Sequence, residues 1–403
     1  MTRWSNSMVD IVTCLEHQSI PVKNTRQPGE FALTEEHAHS LSKLRCIPKG
    51  AFREGHRSIT WRQFCGVVQL GTTTLEILPK IHGHEMDAGS CKRALVRMLR
   101  RCGLIKIHKG SSASASLQRH TLLDIFILEF CLLVRESLTA GKPRQYKLIE
   151  ENGRVIRGKF LVSQQIRLNQ VHRERVYCQY DELTTDVPLN QVIKHTLNTL
   201  LAYCQSNTTK QTIGNLLYHY DDVSTRTFTP DEVDQIHLNR LTEGYRPALD
   251  WAKIFLALNS PDVFSGSQRS ISILFDMNKL FEGWLAAELR SFSYEAGLTV
   301  REQAPRRSLA LRMDTGQFTH QMRPDITLVD QKGAITALID AKWKMLEPHE
   351  TKLGISQTDL YQLITYANLY GKRRVNLIYP MHSGAQASYK LSINGAWAVE
   401  VVV

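Results

Sequence analysis

At 403 residues the chain is long enough for about two or three domains, each with its own core. Its 42% hydrophobic and 22% charged residues are the balance of a soluble globular protein, which excludes a membrane-embedded or disordered chain. A formal charge of +11 suits a polyanionic partner such as nucleic acid.

The eight cysteines include no CxxC pair and none lies after Cys204, which argues against a zinc ribbon. With no signal peptide they read as reduced thiols of a cytoplasmic protein. Strands are expected at 9–15 and 20–22, a helix at 34–44, and further strands at 58–71 and 72–81 with a turn at Gly71. A helix follows at 90–101, then the small-residue stretch 110–116. The apolar run 122–134 carries Asp124 and Glu129 and is too short to cross a bilayer, so the helix at 121–140 is a core helix ending at Gly141-Lys142-Pro143. Strands are expected at 146–150 and 155–162, and Asp186-Val187-Pro188-Leu189-Asn190 leads into a helix reaching Cys204. Helices at 231–241 and 247–258 precede a boundary at 259–267, and a helix at 277–296 opens the last region. There is no internal repeat and no GxxxxGK[ST] loop, so the chain carries no P-loop NTPase site of its own.

The last region is organised around Arg323-Pro324-Asp325 and Ile339-Asp340-Ala341-Lys342. Two apolar strands flank an Asp330-Gln331-Lys332-Gly333 turn, and other charge is confined to the open end of this hairpin. Alternation puts Asp340 and Lys342 on one face and Ala341 on the other. With Gln331-Lys332 as the loop, Asp325 falls opposite Leu338, hence on the face of Asp340. Paired carboxylates suit Mg²⁺, with Mn²⁺ as an alternative, and such a cation activates water toward a phosphate. Lys342 can orient or deprotonate that water, or stabilise the charged transition state. An ordinary hairpin whose ends surface among charged residues would carry the same residues. Ser356-Gln357-Thr358-Asp359 then starts a helix that puts Gln362 and Tyr366 on one face, and Val375 to Pro380 reads as a buried strand.

Hairpin, helix and strand with PD…DxK followed by QxxxY resemble the PD-(D/E)xK nuclease superfamily. Further stretches resemble the McrC family, nuclease subunits of McrBC modification-dependent restriction systems. They include Gly66-Val67-Val68-Gln69-Leu70-Gly71, Ile77-Leu78-Pro79-Lys80-Ile81, Ile156-Arg157-Gly158-Lys159-Phe160, Tyr180 through Asn190, and Leu274-Phe275-Asp276-Met277-Asn278-Lys279-Leu280-Phe281-Glu282. The likeness runs from about residue 56 to the end and is strongest in the C-terminal third.

The resemblance implies an α+β protein with three parts. These are an N-terminal β-rich partner-docking domain (1–110), a mixed, mainly helical middle region (111–262), and a C-terminal α/β restriction-endonuclease-like core with a mixed central sheet (263–403). It implies a Mg²⁺-dependent DNA endonuclease of the prokaryotic cytoplasm, acting on double-stranded, methylated DNA with an McrB-like AAA+ GTPase (or ATPase) hexamer. Asp325 and Asp340 match the metal-binding acids and Lys342 the catalytic lysine, while Gln362 and Tyr366 match the helix supporting the site. Ala341 would offer its carbonyl to the metal, and Glu282 matches an acid on the first helix of the nuclease core. Arg323 and Lys344 flank the acids as candidates for the DNA backbone. Two other roles fit the same residues: a non-catalytic activator plugging an AAA+ ring, and a stand-alone nuclease on another DNA structure.

Overall fold

The computed structural model describes residues 10–44, 47–105, 120–258, 270–346, 349–350, 352–381, 388–393 and 397–402. The chain forms two compact units, one of Met1–Gln118 with Ser272–Val403 and one of Arg119–Ile271. One unit therefore combines the N-terminal and C-terminal segments of the chain, and the other is the stretch between them. The 110–116 stretch and the 259–267 boundary lie outside the described residues.

The first unit begins with β1 (Asp10–Leu15), β2 (Ser19–Lys23), β3 (Leu33–Thr34), α1 (Glu35–Lys43), β4 (Phe52–Gly55), β5 (Ser58–Trp61), β6 (Phe64–Leu70), β7 (Thr73–Leu78) and α2 (Ala88–Arg101). β1 runs parallel to β7, and β6 returns antiparallel to it. A small second sheet has the order β3-β2-β5-β4. Val12, Ile20, Leu41, Trp61, Val68 and Leu75 share one core between these sheets and α1, the region expected to be β-rich. Asp10 fixes the start of β1, receiving hydrogen bonds from Arg26 Nη2 (2.8 Å), Gly29 N (2.9 Å) and Thr73 Oγ1 (2.8 Å).

The second unit contains α3 (Leu122–Leu138), β8 (Gln145–Gly153), β9 (Lys159–Phe160), α4 (Val162–Leu168), β10 (Val176–Thr184), α5 (Pro188–Leu201), α6 (Asn207–Tyr218), α7 (Pro230–Asp234) and α8 (Arg246–Leu258). α3 is the core helix the sequence predicts, capped by Thr121 Oγ1 accepting from Asp124 N at 3.1 Å and packed on α6 and α8. Three expectations change here. The strand expected at 155–162 shrinks to β9, because Gly158 adopts a left-handed φ of +63° and breaks the extended run. The helix expected at 231–241 ends at Asp234. Beyond it Asn239 Oδ1 accepts from Leu241 N (2.9 Å) and Thr242 N (3.1 Å), a local turn that competes with the helical ladder. α6 was not expected, since its threonine-rich start reads as loop. Among the described residues no helix is long and apolar enough to cross a membrane.

The chain re-enters the first unit through β11 (Ser270–Asp276) and continues with α9 (Met277–Ser293), β12 (Thr299–Glu302), β13 (Arg307–Leu311), β14 (Phe318–Met322), β15 (Ile326–Val329), β16 (Ile335–Ala341), α10 (Gln357–Tyr370), β17 (Arg374–Ile378), β18 (Ser388–Ile393) and β19 (Trp397–Val402). β11 completes the N-terminal sheet as β1-β7-β6-β11. It comes so close that a Cβ on Gly66 would sit 1.9 Å from the Ile273 carbonyl oxygen. The remaining strands form a six-stranded sheet ordered β12-β15-β16-β17-β19-β18. This sheet is mixed: β16, β17 and β19 are parallel, while β12, β15 and β18 pair antiparallel. α10 is the crossover between β16 and β17, started by Ser356 Oγ accepting from Asp359 N (3.1 Å) and stopped by left-handed Gly371.

The β15–β16 hairpin corrects the expected register. Gly333 N donates to Asp330 O at 3.0 Å, and Asp330 N donates to Ala334 O at 2.9 Å. The loop is therefore Gln331-Lys332-Gly333, one residue longer than expected. A bulge shifts the pairing again between Val329↔Ile335 and Leu328↔Ala337. Ile326 consequently faces Ile339, and continuing the register places Asp325 beside Asp340 instead of Leu338. Two one-residue shifts preserve parity, so the two acids stay on one face.

Candidate active site

β16 delivers Asp340 to the inside of the sheet edge, where it is 1% exposed. Its Oδ1 has no hydrogen-bond donor among the described residues. Lys342 Nζ lies 2.7 Å from Oδ2, a close ion pair. Burial and then the adjacent Asp325 push the Asp340 carboxyl well above the usual carboxylate range, with Lys342 opposing. Burial alone would depress the Lys342 ammonium. The attraction of Asp340 outweighs it and holds Lys342 above its ordinary value, so the group stays charged.

Asp325 precedes β15 and is fixed from two sides. Its Oδ2 accepts from Ala341 N at 3.0 Å, and its Oδ1 from Gln303 Nε2 at 3.2 Å. Ala341 is itself buried, its methyl on the face away from the acids. The same Gln303 amide donates to Glu282 Oε2 at 3.3 Å, so it stands between the helix acid and the strand acid. Glu282 is half-buried on α9. Burial first, then Asp325, raise its pKa to about 7. Among the described residues no three His, Cys, Asp or Glu side chains are grouped as a ready-made metal cage.

α10 supports the lysine. Lys342 Nζ donates to Gln362 Oε1 at 3.4 Å, Gln362 Nε2 donates to Tyr366 OH at 2.8 Å, and Tyr366 OH donates to Arg323 O at 2.8 Å. This chain of bonds ties the lysine, the helix and the segment before Asp325 into one frame. Burial, with smaller contributions from the acids, lifts the Tyr366 phenol to about 12, so it keeps its proton. Arg323 is exposed on the rim of a cleft of about 510 Å³ whose walls include Gln303, Asp325, Gln362 and Tyr366. Lys344 is engaged instead by Asp359 Oδ2 at 3.1 Å, at the start of α10.

The structure therefore brings Asp325, Asp340, Lys342, Gln362 and Tyr366 together, with Ala341 and Glu282 beside them. Sequence reasoning missed Gln303. It lies outside every motif, and its only local peculiarity is a left-handed φ of +49°, which a side-chain-bearing residue rarely adopts. Such strained positions concentrate at functional sites.

The comparisons follow the fold and this geometry. The family described as "McrBC 5-methylcytosine restriction system component" matches residues 59–380. None of the curated proteins matches the chain. Among solved structures, the chain is similar to one in a refined half-complex from a tetradecameric assembly of Thermococcus gammatolerans McrB AAA+ hexamers with bound McrC. That match has a TM-score of 0.71 and 18% identity, covering 97% of this chain and 94% of that one. A cryo-EM structure of the Thermococcus gammatolerans McrBC complex gives a TM-score of 0.52 and 20% identity over 74% of this chain and 90% of that one. At such identities the likeness is one of fold.

Proposed function

Because the chain belongs to the McrBC restriction-system family, we propose that it is the McrC-type nuclease subunit, a Mg²⁺-dependent endonuclease of PD-(D/E)xK type that hydrolyses DNA phosphodiesters. The observation that carries this reading is Asp340: a buried carboxylate beside Asp325, with Oδ2 paired to Lys342 Nζ at 2.7 Å and Oδ1 without a hydrogen-bond partner among the described residues. Leaving a buried charged acceptor unsatisfied is costly unless a ligand completes it. Oxygen donors from Asp325, Asp340 and the Ala341 carbonyl fit a hard divalent cation. Mg²⁺ held there, or Mn²⁺ in its place, would supply Lewis acidity toward water and the scissile phosphate.

The protein's own groups supply the rest. Lys342, 2.7 Å from Asp340, is placed to stabilise the charge that builds on phosphate oxygens or to orient or deprotonate the attacking water. Gln362 and Tyr366 keep its Nζ in place, and Gln303 orients Asp325 and Glu282. Water adds to phosphorus and one P–O ester bond breaks, leaving a phosphomonoester and a hydroxyl.

The solved complexes hold McrC with McrB AAA+ hexamers. By that analogy this chain works with an McrB-like AAA+ GTPase or ATPase, whose nucleotide hydrolysis it stimulates, in restricting methylated foreign DNA in a prokaryotic cytoplasm. The test is D340A with the partner, nucleotide and Mg²⁺ present. Cleavage of methylated duplex DNA should be lost while stimulation of the partner's hydrolysis persists. Cleavage surviving D340A would sink the catalytic assignment. A wild-type protein that stimulates the partner but breaks no DNA in any divalent metal would make it a plug. Robust cleavage without the partner would make it a stand-alone nuclease.

A further inference from the structure

A second buried carboxyl with an open oxygen lies near this site but outside it. Glu16 follows β1 and is 2% exposed. Its Oε1 accepts from the indole Nε1 of Trp343 at 2.7 Å and from Lys80 N at 2.9 Å, while its own N donates to Leu78 O at 2.8 Å. Its Oε2 has no hydrogen bond, and His17 Nε2 is 3.9 Å away. Burial lifts this carboxyl to about 7 against the opposing indole and Lys80 bonds.

Trp343 is the neighbour of Lys342. β16 ends at Ala341, so the lysine sits just past the last rung of the ladder. Two backbone bonds remain in this segment, Lys342 N to Ile378 O and Lys344 N to Lys342 O, each at 2.9 Å. The Trp343 ring also packs on Phe281, centroids 5.4 Å apart, and Phe281 stacks on Trp284 at 5.9 Å. Phe281 immediately precedes Glu282. One indole is thus clamped between a carboxylate of the N-terminal segment and the helix that presents the third acid.

We infer that Glu16 is a positioning residue for the cleavage centre: by fixing the Trp343 indole it sets both the Lys342 segment and the turn of α9 that carries Glu282. This inference rests on the nuclease reading. It makes the end of β1, together with the Leu78-Pro79-Lys80 segment, part of the nuclease's supporting frame.

Four variants of the full chain test it: E16L, E16Q, W343F and the E16L/W343F pair, each with the partner, nucleotide and Mg²⁺. E16L removes the acceptor for the indole, whereas E16Q keeps one. W343F preserves the aromatic packing but removes the N–H, and it serves as the informative variant where E16L fails to fold. Misplacing a reacting group by a fraction of its reach slows chemistry, so E16L and W343F should each lower kcat about ten- to hundredfold, with KM for DNA little changed. Their effects should not add, because they break the same bond. E16Q should stay near the wild-type rate. The Trp343 emission, taken as the difference from W343F, should shift in E16L and not in E16Q. A wild-type kcat in W343F or E16L, additive losses, or an E16Q as slow as E16L would overturn the inference while the nuclease reading stands. A wild type that cuts no DNA would overturn both, and the emission shift would then report the contact alone.

Discussion

Replacing Glu282 by glutamine should stabilise the protein at pH 8, and by only a small fraction of that at pH 5. Glu282 is half-buried beside Asp325 and Asp340, and its pKa rises from 4.5 to about 7. A carboxyl that binds its proton more tightly when folded makes folding less favourable wherever it must ionise. The cost is therefore complete above about pH 7, shrinks as pH falls, and vanishes below the unfolded value. A displacement from 4.5 to about 7 would cost on the order of 3 kcal/mol at pH 8 if nothing screened it. Glu282 reaches solvent, so about 1 kcal/mol is the expected gain in E282Q. Glutamine is nearly isosteric, and its Oε1 can still accept from Gln303. Urea denaturation at pH 5, 6.5 and 8, followed by tryptophan emission, measures this. Trp61, Trp284 and Trp343 belong to the unit that holds Glu282. If Glu282 shares the divalent cation, Mg²⁺ should stabilise the wild type more than E282Q. An E282Q protein no more stable at pH 8, or a gain equal at every pH, would refute the reasoning.

Two other substitutions test the frame around the acids. Q303A removes the amide that donates to both Glu282 and Asp325, and should slow single-turnover DNA cleavage about tenfold; an unchanged rate would make the amide a bystander. G66A would drive a Cβ to 1.9 Å from Ile273 O at a φ of +148°, so β11 must separate from β6. Destabilisation of about 3 kcal/mol or more is expected as a lower urea midpoint or loss of soluble protein, and a wild-type midpoint would show that the strands yield.

Some of the site was legible because it depends on parity and local spacing. Asp340 and Lys342 are two apart on a strand, and Gln362 and Tyr366 four apart on a helix, so each pair shares a face in any register. Asp325 was placed opposite the wrong residue but on the correct face, because the longer loop and the bulge each shift the pairing by one. The helix at 231–241 failed for the opposite reason. Asn239 offers its side chain to two backbone amides beyond Asp234 and holds a local turn there. Gln303 left no pattern to read. Its place depends on a left-handed backbone and on the pairing of Glu302 with Ile326, both long-range outcomes of folding.

The same dependence on long-range pairing appears at a larger scale. Boundaries drawn in chain order separate residues 1–110 from 263–403, yet these segments share a sheet, since β11 pairs with β6. The first amide of α9 then donates to the N-terminal segment, Met277 N to Gln63 O at 2.8 Å, and Asp276 Oδ1 caps the helix by accepting from Asn278 N at 3.0 Å. The helix that carries Glu282 therefore starts on the N-terminal sheet, and the indole beside Lys342 is held by Glu16 at the end of that same sheet. Both acid-bearing elements of the candidate centre, α9 and the β15–β16 hairpin, thus take their placement partly from residues that precede them by more than two hundred positions. The β-rich segment expected to dock a partner thus also contacts both elements of the candidate site.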